Sequence, residues 1–262
     1  MTQPKTPCAS ATMPPPPALD PHAALFLDVD GTLLEIAARP DRVQVPSWLA
    51  SLLQDLARRR GQALALVSGR PLGEVDRLFR PWRGAAAGLH GIERRRADGS
   101  FGPGLSPSAT AALDRLRRPL AALAAAGRGV MLEDKGGTLA LHYRDAPERE
   151  EEVRAAAKAL ACENPSLRLI AGKMVVEFQP RGADKGAAIA AFLSEPPFLG
   201  RAAVFVGDDT TDEDGFAEVA RRGGTAVRVG PPAQSRAAYA LADVGAVLDW
   251  LAAGRTDRRT DR

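Results

Sequence analysis

Cysteine is scarce in this chain of 262 residues: Cys8 and Cys162 are the only two. Two thiols so far apart neither build a disulfide scaffold nor match a metal-ligand spacing, so a reducing, cytoplasmic setting is the default expectation. Aromatic residues are few, at 5%. No apolar run approaches the roughly 20 residues that a membrane-crossing helix needs. An excess of one charge is missing as well, since 35 Lys and Arg against 32 Asp and Glu leave a net charge of +3. That balance excludes a chain-wide nucleic-acid footprint. The short clusters Arg58-Arg59-Arg60 and Arg94-Arg95-Arg96 read as solvated surface. The first residues lack a basic start followed by an apolar stretch, so they do not read as a secretory signal. Pro14–Pro17 suits neither a helix interior nor a central strand, and residues 1–22 are expected to form a disordered tail, as are the polar residues 254–262.

What is present is a rhythm of strand and helix. Ala24–Leu27 is a short apolar run ending at Asp28, the pattern of a buried strand that runs into a polar turn. Trp48, Leu49, Leu52, Leu53 and Leu56 recur at helical spacing and Gly61 offers a stop. Ala63–Val67 reads as a second buried strand, ending at Ser68-Gly69-Arg70, and Pro71 opens another helix. After residue 180 the same alternation returns, with a helix from Asp184, a strand over Ala202–Val206, a helix over Asp212–Ala220, a strand over Thr225–Val229 and a final helix within Tyr239–Ala252. Alternation of this kind predicts a parallel α/β sheet. The middle differs: helix, hairpin, helix, hairpin, with turns at Gly136-Gly137 and Gly172-Lys173. The fold expected is therefore α/β, a Rossmann-like parallel-sheet core over residues 23–106 and 181–253, with an inserted second α+β domain over residues 107–180.

The polar signatures fall where the strands end, which is where sites in such sheets lie. They are Asp28-Val29-Asp30-Gly31-Thr32, Ser68-Gly69-Arg70, Asp184-Lys185-Gly186 and Gly207-Asp208-Asp209-Thr210-Thr211-Asp212. Any one alone is an ordinary turn or cap. Together they describe a chemistry. Carboxylates gathered at one place repel one another unless a hard cation sits among them, and oxygen ligands with a phosphate substrate point to Mg²⁺. Asp28 is placed to attack phosphorus, and Asp30 to give a proton to the leaving oxygen and take one from water. Ser68 can hydrogen-bond a phosphoryl oxygen and Lys185 can hold its charge. Asp208 is the expected further metal contact, with Asp209 and Asp212 as neighbours.

These four strings resemble the motifs of the haloacid dehalogenase-like phosphotransferase superfamily. The resemblance implies Asp28 as nucleophile and Asp30 as acid/base. It implies a metal held by Asp28, by the backbone carbonyl of Asp30 and by Asp208. The inserted α+β unit resembles the cap that selects substrate in that superfamily. A narrower match runs from Leu25 to Leu251 and resembles trehalose-6-phosphate phosphatases. It rests on Gly88-Leu89-His90-Gly91-Ile92-Glu93, Glu133-Asp134-Lys135-Gly136, Leu141-His142-Tyr143-Arg144 and Gly172-Lys173-Met174-Val175-Val176-Glu177, with Pro40 and Val45-Pro46 behind the first motif. Val29 and Ala183 depart from the family's usual residues, at packing positions beside the site. The resemblance implies that Lys135, His142, Lys173 and Glu177 bind the sugar hydroxyls, that His90 and Glu93 assist from the core side, and that Arg70 anchors its loop or meets substrate. It implies hydrolysis of trehalose 6-phosphate, a small-molecule sugar phosphate, with no nucleic acid and no membrane as partner. A functional link to a trehalose-6-phosphate synthase would follow. Hydrolysis of another sugar phosphate, a phosphomutase reaction and a binding module without turnover are the competing functions.

Overall fold

The computed structural model describes residues 13–36, 43–172, 174–231 and 234–253. They divide into two compact units, one built from the chain up to Leu66 and from Ile189 onward, the other from Val67–Ala188.

The first unit contains a parallel sheet of β1 (Ala24–Leu27), β2 (Leu64–Val67), β9 (Ala203–Gly207), β10 (Thr225–Val229) and β11 (Tyr239–Leu241), ordered β11-β10-β9-β1-β2. β1, β2 and β9 are buried along their whole length, as strands covered on both faces must be. Helix α1 (Leu49–Arg59) buries Leu49, Leu52, Leu53 and Leu56, one stripe at spacings of three and four. Phe26, Phe192 and Phe198 form one aromatic cluster, and Phe205 and Phe216 join β9 to helix α6 (Glu213–Arg221). The final helix expected within residues 239–252 is present, and a short strand precedes it. Tyr239–Leu241 is a strand paired with β10, and helix α7 begins at Val244 and runs to Ala253. A three-residue strand is too short to leave a periodic trace in sequence.

The proline-rich stretch expected in a disordered tail is docked from residue 13. The Pro14 carbonyl accepts the Ala240 N–H at 3.0 Å, the Pro17 carbonyl accepts Trp250 Nε1–H at 2.9 Å, and Leu19 is buried. Proline lacks a donor yet keeps its acceptor, so a rigid extended segment can still be fastened by what others donate. Residues 1–12 and 254–262, the rest of the expected tails, lie outside the described residues, as do Pro40 and Lys173.

The second unit opens with helix α2 (Leu72–Leu78) and the antiparallel pair β3 (Ala85–Gly88) and β4 (Glu93–Arg95). An antiparallel sheet of β5 (Met131–Asp134), β6 (Leu139–His142), β7 (Leu167–Gly172) and β8 (Val175–Pro180) follows, ordered β5-β6-β8-β7. Helices α3 (Pro107–Ala125) and α4 (Glu150–Glu163) share one core with it. Leu113, Leu116 and Leu120 of α3 and Val153 of α4 pack with Leu139, Leu141, Val176 and Phe178. That core uses one face of the sheet. The residues of the opposite face alternate with these, and they include Glu133, His142 and Glu177.

Candidate active site

In the first unit, β1 and β9 lie side by side in register, Leu27 opposite Val206, so the residues that follow them leave the sheet together. Asp28 comes next on one strand and is 4% exposed, its N–H donating to the Val206 carbonyl at 3.0 Å. Beyond it the chain turns sharply: Leu33 and Leu34 both donate to the Val29 carbonyl, and Gly31 donates to the Leu34 carbonyl at 2.7 Å. Gly31 has φ +79°, and a Cβ there would collide with the Asp208 carboxylate. Only glycine meets both demands.

Asp208 follows β9, and its position is set by Asp212. One Asp212 oxygen accepts the N–H of Asp208 at 3.0 Å and that of Asp209 at 2.9 Å, while Asp209 caps the same short turn through the Thr210 N–H. The result is a cluster in which Asp28, Asp208 and Asp212 each bring a carboxylate oxygen within 4.8 Å of the others. Asp28 and Asp212 are buried and Asp208 half-buried. Two unit charges at that distance repel by about 3–4 kcal/mol at an effective dielectric near 20. Three oxygen donors converging behind a glycine too tight for a side chain suit a hard divalent cation, which would offset that repulsion. Asp30, half-buried, is not one of the three. Asp212 enters the cluster where sequence reasoning had it only as a neighbour; its four-residue spacing from Asp208 was the signal available.

In the second unit, Ser68 is buried at the end of β2, its N–H on the Ala87 carbonyl at 2.8 Å and its Oγ accepting from the Arg70 N–H at 3.1 Å. The Arg70 guanidinium reaches Glu74 at 3.1 Å. Glu93 turns a carboxylate oxygen to the Leu72 N–H at 2.6 Å, capping the start of α2. Lys185, at the first position of helix α5 (Lys185–Leu193), is only 3% exposed. Between these pieces Leu89 and His90 hold left-handed backbone, φ 48° and 57°, a conformation that costs a residue with a side chain roughly 1 kcal/mol or more. Burial, and then the charges of Lys185, Lys135 and Arg168, push the His90 imidazole down to about 3. It is neutral at physiological pH.

On the polar face of the four-stranded sheet, Glu133, Ala140, Glu177 and Ile170 stand in one row across β5, β6, β8 and β7. Glu133 pairs with His142 Nε2 at 2.9 Å, and Lys135 Nζ lies 3.8 Å from Glu133 and 3.7 Å from Glu177. The hydrogen bond from His142, then the Lys135 charge, hold the Glu133 carboxyl below its usual range. The structure thus brings Lys135, His142 and Glu177 onto one network, and adds Glu133, which sequence reasoning did not select. Its register opposite Ala140 was the missing information.

A parallel sheet with paired aspartates after one strand and an acidic turn after its neighbour defines the class by its fold, which is shared with a solved phosphatase of the haloalkanoate enzyme superfamily from Bacteroides thetaiotaomicron, with TM-score 0.59, 17% identity, and 97% and 100% of the two chains covered. Within it, the family model for trehalose-phosphatase matches residues 26–244, and the chain belongs to that family. It is 49% identical over 210 residues to a probable trehalose-phosphate phosphatase of Sinorhizobium fredii, covering 80% of this chain and 78% of the relative. It is 45% identical over 235 residues to a trehalose-6-phosphate phosphatase of Escherichia coli, covering 90% and 87%. The solved C-terminal domain of a Candida albicans trehalose-6-phosphate phosphatase shares the fold, with TM-score 0.76, 21% identity, and 94% and 99% of the two chains covered.

Proposed function

We propose that the protein hydrolyses trehalose 6-phosphate to trehalose and inorganic phosphate. The observation that carries this reading is the convergence of Asp28, Asp208 and Asp212 within 4.8 Å, in a chain of the trehalose-phosphatase family. Asp28 and Asp208, with Asp212 beside them and the Asp30 carbonyl, would hold Mg²⁺. When bound, the ion supplies the positive charge that lets a carboxylate approach a phosphate dianion.

In the first step a carboxylate oxygen of Asp28 attacks phosphorus and the bond from phosphorus to the sugar oxygen breaks. Asp30 gives its proton to that leaving oxygen. In the second step Asp30, now a carboxylate, takes a proton from water as the water oxygen attacks phosphorus. The bond to Asp28 breaks and phosphate departs. Ser68 and Lys185 hold the phosphoryl oxygens throughout. Residues 107–180 act as the cap, and Lys135, His142, Lys173 and Glu177 bind the sugar hydroxyls, with Glu133 orienting His142. Arg70 and Glu93 brace the Ser68 loop and the start of α2, the contacts each already makes. A synthase of trehalose 6-phosphate would be the source of substrate. No helix among the described residues is long and apolar enough to cross a membrane; a cytoplasmic setting rests on the two distant thiols.

Phosphate release across a panel of sugar phosphates, with and without Mg²⁺, tests the reading. Trehalose 6-phosphate should be turned over best and only with the ion. Faster turnover of sucrose 6-phosphate, or full turnover in excess chelator, would replace it.

A further inference from the structure

Ser68 and Lys185 stand more than a hundred residues apart in sequence, yet one short turn touches the segments that carry both. On one side, the His90 N–H donates to the Ser68 carbonyl at 2.9 Å and the Leu89 N–H to the Arg70 carbonyl at 3.0 Å. The His90 imidazole lies flush against Gly69: a Cβ placed there would be 2.8 Å from Cε1 and 2.9 Å from Nε2. On the other side, Gly91 lies against the first turn of α5. A Cβ on Gly91 would be 2.8 Å from the Asp184 carbonyl and 3.0 Å from the Ala188 side chain, and φ +110° there suits glycine alone. Asp184 in turn caps that helix by accepting the Ala187 N–H at 2.7 Å.

We propose that the turn Leu89–Gly91, with the His90 ring wedged on Gly69, is a positioning element that fixes the spacing between Ser68 and Lys185. The inference rests on the reading of those two residues as the phosphate-holding pair, and it gives His90 a different duty from a sugar contact. The ring is placed as a block. Its Nδ1 is buried and finds no hydrogen-bond partner among the described residues, and its Cε1–Nε2 edge faces the Gly69 backbone. The left-handed pair Leu89 and His90 is the strained geometry expected where a turn must meet two fixed neighbours at once. A neutral ring also sits beside Lys185 without repelling it, whereas an imidazolium would compete for the same anion.

Two opposed variants test this. Gly69→Ala pushes a methyl into the ring, and His90→Asn removes the ring while keeping a residue that tolerates left-handed backbone. Competitive inhibition by inorganic phosphate and by trehalose reads the two halves of the product separately. A misplacement of about 1 Å can cost on the order of 10²-fold, so a few tenths of an ångström should raise the phosphate inhibition constant about tenfold in Gly69→Ala, and less in His90→Asn. Trehalose inhibition should stay within about twofold. In the double variant the smaller Asn makes room for the methyl, so phosphate inhibition should return towards the parent value. Multiplied losses in the double variant would overturn the proposal, as would a rise confined to the trehalose constant, which would make His90 a sugar contact. Urea unfolding of each variant reports folding, and if Gly69→Ala does not fold, the His90→Asn constants decide. Ser68→Ala is the control. Should it leave phosphate inhibition unchanged, the reading of Ser68 fails first and the turn has nothing to position. Should it raise the constant while both wedge variants do not, only the positioning role falls.

Discussion

The two compact units differ in the polar groups they gather and in the way they hold them. The first gathers carboxylates: Asp28, Asp208 and Asp212, carried by two adjacent parallel strands and the short turn after one of them. Strand register and four local hydrogen bonds suffice to place them. The second gathers a hydroxyl, a buried lysine, a neutral histidine and a network of Lys135, Glu133, His142 and Glu177. Those groups come from six separate elements and depend on a strained turn and an antiparallel register. The acidic cluster is therefore compact and robust in construction, while the other is distributed and should fail by degrees.

The largest effect belongs to the acidic cluster. Asp28→Asn keeps the shape of the side chain and removes the proposed nucleophile, so phosphate release should fall by on the order of 10³-fold or more. Single-turnover phosphate assays would measure it, and turnover within tenfold of the parent would end the mechanism proposed. Asp212 comes next. Asp212→Ala strips the acceptor from the Asp208 and Asp209 N–H groups, and the loss expected is about 10- to 100-fold, with a raised Mg²⁺ requirement in a metal titration. Asp212→Asn retains an acceptor and should be milder. Equal losses in both variants would show that its charge, not its hold on the loop, is what counts.

The distributed network should respond more gently. Glu133→Gln removes the charge that fastens His142 and flanks Lys135, a charge-assisted contact worth about 1.5–3 kcal/mol when well shielded and less here, where the pair is part exposed. We expect KM to rise about fivefold with kcat nearly unchanged. A kcat loss larger than the KM change would place Glu133 closer to the chemistry than the sheet register suggests.

The contrast also explains what could be read before any coordinates. Asp28, Asp208 and Asp212 lie beside buried apolar runs, so strand ends and acids coincide in the sequence itself. Glu133 looked like one more charged hairpin residue, because its meaning lies in facing His142 and Glu177 across two strand pairs. Glu93 and His90 were visible as a motif, but their contacts with Leu72 and Gly69 are tertiary and no spacing announces them. The docked proline segment escaped for a related reason. Composition reports that Pro14–Pro17 cannot join a helix or central strand, and says nothing of the Ala240 and Trp250 donors that meet its carbonyls.

The smallest effect concerns stability and isolates His90. Its imidazole is held near a pKa of about 3 when folded, against an ordinary 6.5, so below pH 6.5 the unfolded chain binds the proton more readily. Stability then rises with pH across the window from 3 to 6.5 and is fully present above it. Between pH 7 and pH 5.5 this single group should remove roughly 1 kcal/mol. That interval also lies above the Glu133 window: a carboxyl held below its usual 4.5 loses its contribution only as pH falls under that value. Urea unfolding at the two pH values, repeated in His90→Asn, separates the histidine from everything else that titrates. The parent should lose stability over the interval and the variant should lose about 1 kcal/mol less. An unchanged difference in the variant would mean that the imidazole is not held neutral beside Lys185, Lys135 and Arg168.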